Sequence, residues 1–248
     1  MKRVFAAAAV VVLLWWSGSG VGVTVSAFRD LGNTFRFIAG NWFPADAADW
    51  RIAVKAMLDT LEIAVFSTLA ALLLAVPGSL FAARNWAPAR WMYDATRGLF
   101  NVARSIPELV LALVFIPTLG LGPMPAVMAL IIHNVGVFGK LLSETIEATD
   151  EGPQDAVKAV GGTRLHVALY GIFPQMAPLV LSHYFYRLEV AIRTSLILGI
   201  VGAGGIGQML FNDFKMFAYE KVTFEVLLIM VMVAAVDYLG ALIRRRVK

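Results

Sequence analysis

The sequence predicts an all-α, polytopic membrane protein with six transmembrane helices. Three observations carry that prediction. Hydrophobic residues make up 59% of the 248 residues and charged residues 15%, against roughly 45–50% and 25% in soluble domains; the mean hydropathy is +0.75. Long uncharged runs alternate with short charged stretches. The basic residues sit beside those runs, as cytoplasmic flanks do. The net charge of +4 is therefore a topology signal, and no nucleic-acid partner is expected. With no cysteine, a disulfide framework, a thiolate metal site and a cysteine nucleophile are excluded.

Residues 1–248 read as one transmembrane domain with spans at about 4–25, 58–83, 99–119, 124–146, 173–198 and 222–243. Lys2 and Arg3 precede an uncharged run from Val4 to Phe28, which exceeds the roughly 20 residues needed to span. A cleaved signal peptide ending near Val25-Ser26-Ala27 is the alternative, although the run is long for an apolar signal core of about 7–15 residues. Trp15-Trp16 marks either an interface or a packing contact. Residues 29–55 mix charges with Gly, Asn, Pro and Trp, so they read as a loop with room for an interfacial helix. Within the second span Pro77-Gly78 is expected to make a bend near one end, and Arg84, Arg90 and Arg97 follow it as a cytoplasmic cluster. From Leu109 to Gly139 no charge appears. That is too long for one span, and Gly120–Pro125 divides it into two joined by a short outer turn. The fifth span follows Phe173. Asn212–Lys221 is polar and expected outside, and Arg244-Arg245-Arg246 with Lys248 is a cytoplasmic stop after the sixth. Both termini are then cytoplasmic.

Glu151–Pro174 (EGPQDAVKAVGGTRLHVALYGIFP) is out of place in so apolar a chain. Ala156, Val157, Val160, Leu165, Ala168 and Leu169 recur at helical spacing with charges between them. Gly161-Gly162 interrupts and Pro174 stops the pattern. A short surface helix, a glycine turn and a second helical start are predicted, with the helical region at about 151–168.

Gly202-Ala-Gly204-Gly-Ile-Gly207 matches the dinucleotide fingerprint G-x-G-x-x-G letter for letter. The fingerprint requires a preceding strand and a βαβ unit, and here a membrane span precedes it. Close backbone approach, either a turn or tight helix packing, is the better reading. No G-x-x-x-x-G-K-[ST] loop is present, so an ATP motor would be another polypeptide. His133, His166 and His183 are dispersed and lack metal-ligand spacing, and no catalytic cluster is evident. Ionisable groups inside spans are costly, about 2.5–3.5 kcal/mol each on insertion scales, and usually face the bundle interior or water. Arg104 with Glu108 and Glu189 with Arg193 are spaced i,i+4 and are expected to pair on one helix face. Structural ion pairing is one reading of these charges. The other is that Arg104, Glu108, Arg187, Glu189 and Arg193 line the path of an anion, helped by the break that Pro107 forces.

On the residues quoted, Glu151–Pro174 resembles the coupling-helix motif of ABC importer permeases: E-A-A, three residues, G, nine residues, I-x-L-P. Asp155-Ala156-Val157 fills the first three positions, Gly161 the glycine and Pro174 the proline; Asp155, Val157, Gly171 and Phe173 depart from the pattern. Arg104–Val110 (RSIPELV), Gly120–Pro123, His133–Leu141 (HNVGVFGKL), Tyr170–Gln175 and Leu198–Gly207 are similar to the permease subunit of phosphonate-type importers, so the resemblance covers about Leu58–Lys248. It implies a type I ABC importer permease architecture in a bacterial inner membrane. It also implies a second copy of the chain, two cytoplasmic ATPase subunits holding ATP and Mg, an external substrate-binding protein, and a phosphonate, phosphite or similar oxyanion as cargo. Asp155, Ala156, Gly161, Arg164 and Pro174 would dock the ATPase, and the chain itself would be no enzyme. Rival readings are an importer of another small solute such as an amino acid, an ion-coupled secondary transporter and a membrane-embedded enzyme.

Overall fold

A computed structural model of the chain describes residues 2–21 and 31–247. Among them there is helix and turn but no strand. The elements are α1 (Lys2–Gly20), α2 (Leu31–Asn41), α3 (Trp50–Ala82), α4 (Arg90–Ser105), α5 (Glu108–Leu119), α6 (Pro123–Glu147) and α7 (Glu151–Ala159), followed by α8 (Phe173–Leu198), α9 (Gly205–Lys215) and α10 (Tyr219–Val247). A single turn at Arg164–His166 runs through a π-helical segment, Val167–Ile172, into α8. A second π-helical segment, Gly199–Ala203, closes α8.

The parallel pair α3 and α6 forms the centre, with Ile63 beside Ala126 and Leu130 and Ala75 beside Phe138 and Leu142. The buried side of α3 is a file of small residues, Ala53, Thr60, Ala64, Ser67, Thr68, Ala71, Ala75, Ser79 and Ala82, which lets another backbone approach closely. Three of the hydroxyls cost little, because Thr60, Ser67 and Ser79 donate back to Ala56, Ile63 and Val76 carbonyls of their own helix; the Thr68 hydroxyl is buried without a partner among the described residues. Ala71 and Ala75 meet Phe138, Leu142 and Ile146 of α6 with Ile172 and Met176 near the start of α8. Farther along, Ile63 meets Ala126, Ala129 and Leu130 with Leu111, Leu198 and Ala203. Along α8, Leu188, Ala191 and Ile192 pack on Ala64 and on Met232 of α10.

Phe100, the buried residue of α4, is a knob in a socket of glycines. A Cβ placed on Gly78 of α3 would lie 2.8 Å from its ring, and one on Gly139 of α6 2.4 Å. On Gly136 a Cβ would lie 2.6 Å from the Phe100 carbonyl oxygen. Gly78 is thus a packing contact, and α3 continues through Pro77 to Ala82.

Four helical segments are long and apolar enough to cross a membrane: α3, α6, the stretch Arg164–Ala203 and Tyr219–Arg245. The segment expected as a third span is two helices, α4 and α5, bent by 84°. Pro107 lacks an N–H, and its ring drives Ile106 to extended angles (φ −87°, ψ 121°), so the helix cannot continue. In the first segment the shorter apolar helix Ala6–Gly20 is present. Trp15 and Trp16 are 75% and 71% exposed, so they do not pack within the chain. The alternative cleavage site at Val25–Ala27 falls outside the described residues. α3 starts at Trp50, ahead of the uncharged run, because Arg51, Lys55 and Glu62 take its exposed side.

The glycine stretch after α8 is a tight turn. Gly202, Gly204 and Gly205 have φ of 98°, 85° and 71°, a region open to glycine. A Cβ on Gly207 would lie 2.1 Å from the Leu196 carbonyl oxygen. The Gly122 N–H donates to the Gly202 carbonyl at 2.9 Å, which ties the α5–α6 turn to this one. At the same end the segment before α3 meets the start of α10. Trp42 stacks on Tyr219, and Lys221 pairs with Asp49 at 2.6 Å.

Candidate functional site

At the opposite end of the bundle α7 lies on the π-helical segment. Asp150 caps α7, its side chain accepting from the Gly152 N–H at 3.2 Å. Gln175 reaches back from α8 to hold the cap. Its Oε1 accepts from the Asp150 N–H at 3.0 Å, and its Nε2 donates to the Asp150 and Gly171 carbonyls. Gln154 is the buried residue of α7 and donates to Thr149 Oγ1 and the Asp150 carbonyl. A Cβ on Gly171 would lie 3.0 Å from Gln154 Cα. This explains a departure from the coupling motif: an isoleucine there would hold α7 off α8.

The turn after α7 depends on Gly161, with φ +81° and open space where a Cβ would stand. Its role is therefore the turn. Close approach belongs to Gly162, whose Cβ would lie 2.7 Å from the Val157 carbonyl oxygen. Thr163 and His166 then form a capping box that starts the next helix. Arg164 donates to the Trp86 carbonyl at 3.1 Å and lies over the Trp86 ring. Asp155 pairs with Lys158 at 2.8 Å on the open face. Asp155, Ala156, Gly161, Arg164 and Pro174 are all exposed at this one surface, together with Val160, Leu165 and Tyr170.

A buried polar cluster lies inside the bundle, next to the α4–α5 break. Glu108, in the first turn of α5, stands 3.3 Å from His133 Nε2 and 4.0 Å from Arg187 Nη2. Arg187 donates from Nε and Nη2 to Asn134 Oδ1, at 3.0 Å from Nε. His133 Nδ1 lies 3.1 Å from the Ile106 carbonyl. A carbonyl only accepts, so the Nδ1 N–H donates to it and Nε2 faces Glu108. The Asn134 amide nitrogen is buried without a partner.

The five charges expected along a path do not form one group. Glu108 and Arg187 belong to the buried cluster. The expected Arg104–Glu108 pair does not form, because the 84° bend turns the two residues onto different axes. Arg104 instead donates to Asn101 Oδ1 at 3.1 Å from an exposed position. Glu189 and Arg193 do pair with each other, on the exposed side of α8. His133 and Asn134 were missed as partners, although a histidine and an asparagine inside an uncharged run were the available signal.

Residues 53–248 match the family described as "Binding-protein-dependent transport system inner membrane component". The chain belongs to that family. The match takes in the α7 surface and every member of the buried cluster. Among relatives, this permease is 37% identical over 202 residues to the putative phosphite transport system permease protein HtxC of Stutzerimonas stutzeri, covering 82% of this chain and 72% of that one. It is 36% identical over 211 residues to the phosphite transport system permease protein PtxC of the same organism, covering 85% and 77%. Among solved structures, a chain of the inward-facing MetNI methionine ABC transporter superposes with a TM-score of 0.73 at 21% identity, over 83% of this permease and 100% of that chain. The architecture is that of a type I ABC importer permease, a multi-pass inner-membrane subunit.

Proposed function

We propose that this permease carries phosphite, a phosphonate or a similar small phosphorus oxyanion inward by alternating access. The observation that carries the cargo class is its 37% identity, over most of the chain, to a permease named for phosphite transport. The likeness to the methionine transporter bears on fold alone.

In this reading α1, α3, the α4–α5 pair, α6, α8 and α10 make six passes through one domain spanning 1–248. The end bearing α7, Arg84, Arg90 and Arg97 faces the cytoplasm, as the positive-inside rule supports, and both termini lie there. ATP and Mg are held by two separate ATPase subunits. Asp155, Ala156, Gly161, Arg164 and Pro174 form the surface that meets them, a short amphipathic helix suited to a groove. A second copy of the chain and an external binding protein complete the importer. The buried donors of Arg187 and His133, rather than the exposed Arg104, are the groups fit to influence an anion inside the bundle.

The test is ATP-dependent accumulation of labelled phosphite, methylphosphonate or methionine in vesicles holding the permease, its ATPase and its binding protein. Uptake of a phosphorus oxyanion, lost on Gly161→Trp with the protein still inserted, is expected. Methionine uptake alone, or full oxyanion uptake by the variant, would overturn the cargo or the docking assignment respectively.

A further inference from the structure

We propose that the cleft between the end of α3 and the start of α4 seats the phosphate group of an anionic phospholipid. The cleft has a volume of about 380 Å³ and is lined by Arg84, Ala87, Ala89, Arg90 and Tyr93.

Two arginines line it and two others bond to residues beside it, and their bonding divides the four. Arg97 is held by Glu147 and by the Tyr93 hydroxyl. Arg164 is held by Trp86. Arg84 and Arg90 have no side-chain partner among the described residues, and both line the cleft. Arg84 is positioned by its backbone alone, its N–H donating to Glu147 Oε1 at 2.7 Å. Asp94, four residues beyond Arg90, makes no ion pair with it. Two like charges therefore share one recess without a counter-ion, an arrangement that an anion relieves. The Tyr93 hydroxyl accepts from Arg97, which leaves its own proton to donate. A tetrahedral phosphate matches two guanidinium forks and a hydroxyl.

The adjoining face of α4 favours a lipid over a free ion. Trp91, Ala95, Leu99 and Val102 form one apolar stripe leading away from the cleft, with Trp91, Leu99 and Val102 between 60% and 71% exposed. A charged head in a recess, followed by about 17 Å of exposed apolar helix at 1.5 Å per residue, is the shape of a headgroup and part of an acyl chain. Basic recesses between membrane helices hold anionic headgroups in this way.

The experiment is native mass spectrometry of the purified full-length permease with phosphatidylglycerol and phosphatidylcholine, with and without millimolar inorganic phosphate. Wild type is expected to retain phosphatidylglycerol over phosphatidylcholine by roughly thirtyfold, the scale of two cations at a membrane surface. The double variant Arg84→Gln/Arg90→Gln is expected to lose the preference with its melting temperature unchanged, since neither side chain supports the fold. Arg51→Gln, at the other end of the bundle, should keep it. Equal preference in wild type and the double variant overturns the site. Inorganic phosphate that binds wild type but not the double variant, with no lipid preference, overturns the lipid and assigns the cleft to a soluble oxyanion.

Discussion

The Ile106 carbonyl and His133 Nδ1 lie 3.1 Å apart. The break at Pro107 interrupts the hydrogen bonding of the helix there, and a side chain from α6 supplies a donor. That bond alone is worth about 1 kcal/mol net, but the same ring also meets Glu108. His133→Ala is expected to destabilise the purified protein by about 2–4 kcal/mol, by lost bonding and a cavity together. His133→Asn, whose amide can still reach the Ile106 carbonyl, should recover part of that. Thermal unfolding of the two variants checks the order; equal losses would mean that the carbonyl contact contributes nothing.

Arg187 is the cation of the buried cluster, with Asn134 and Glu108 as its partners. Removing one member of such a group leaves the others buried and unpaired, at about 3–5 kcal/mol. Arg187→Ala should therefore reduce the amount of folded protein sharply. Arg193→Ala, which breaks an exposed pair, should cost no more than about 1 kcal/mol. Denaturant melts of both variants in one detergent test the contrast.

The glycine socket predicts coupling. Gly139→Ala is expected to cost about 1–3 kcal/mol by overpacking against the Phe100 ring. In a Phe100→Ala background the same change should cost little, since the ring it would meet is gone. A double-mutant cycle gives the interaction energy directly. Additive losses would show that Gly139 is constrained by something other than Phe100.

Gly161 separates two effects that a bulky substitution confounds. Open space surrounds its Cβ position, so Gly161→Asn, a residue tolerant of positive φ, should fold normally. Gly161→Val should lose about 1–2 kcal/mol from backbone strain. If α7 and the turn after it meet the ATPase, Gly161→Asn should lower ATP-dependent uptake more than it lowers stability. Uptake that tracks stability in both variants would assign the glycine to folding alone.

The apolar stretches that became α3, α6, α8 and α10, and the surface helix, were legible because they follow from local pattern. The uncharged runs, Gly161-Gly162 and Pro174 are each read within one stretch of chain. Pro107 signalled a break, but its angle and the fate of Arg104 depended on how α4 lies on α6. That position is set by Phe100 entering glycines from two other helices. The buried cluster was half legible: Glu108 and Arg187 stood out as charges, whereas His133 and Asn134 gained meaning only when α5, α6 and α8 met. The glycine-rich stretch at 202–207 shows the opposite hazard. Its letters match a nucleotide fingerprint, yet its positive φ values and backbone contacts serve a helical hairpin.

The two π-helical segments bracket α8, one beneath α7 and the other beside the α5–α6 turn. A π turn carries one residue more than the α turn it replaces, and each α-helical residue turns the chain by about 100°. Chain length at 167–172 is thus an angular setting, whereas 199–203 breaks at Gly202 (φ 98°). Deleting one residue from the first segment would rotate α7 about the axis of α8 by roughly a quarter turn, with every side chain of α7 intact. The segment 167–172 should tolerate substitution far better than it tolerates insertion or deletion.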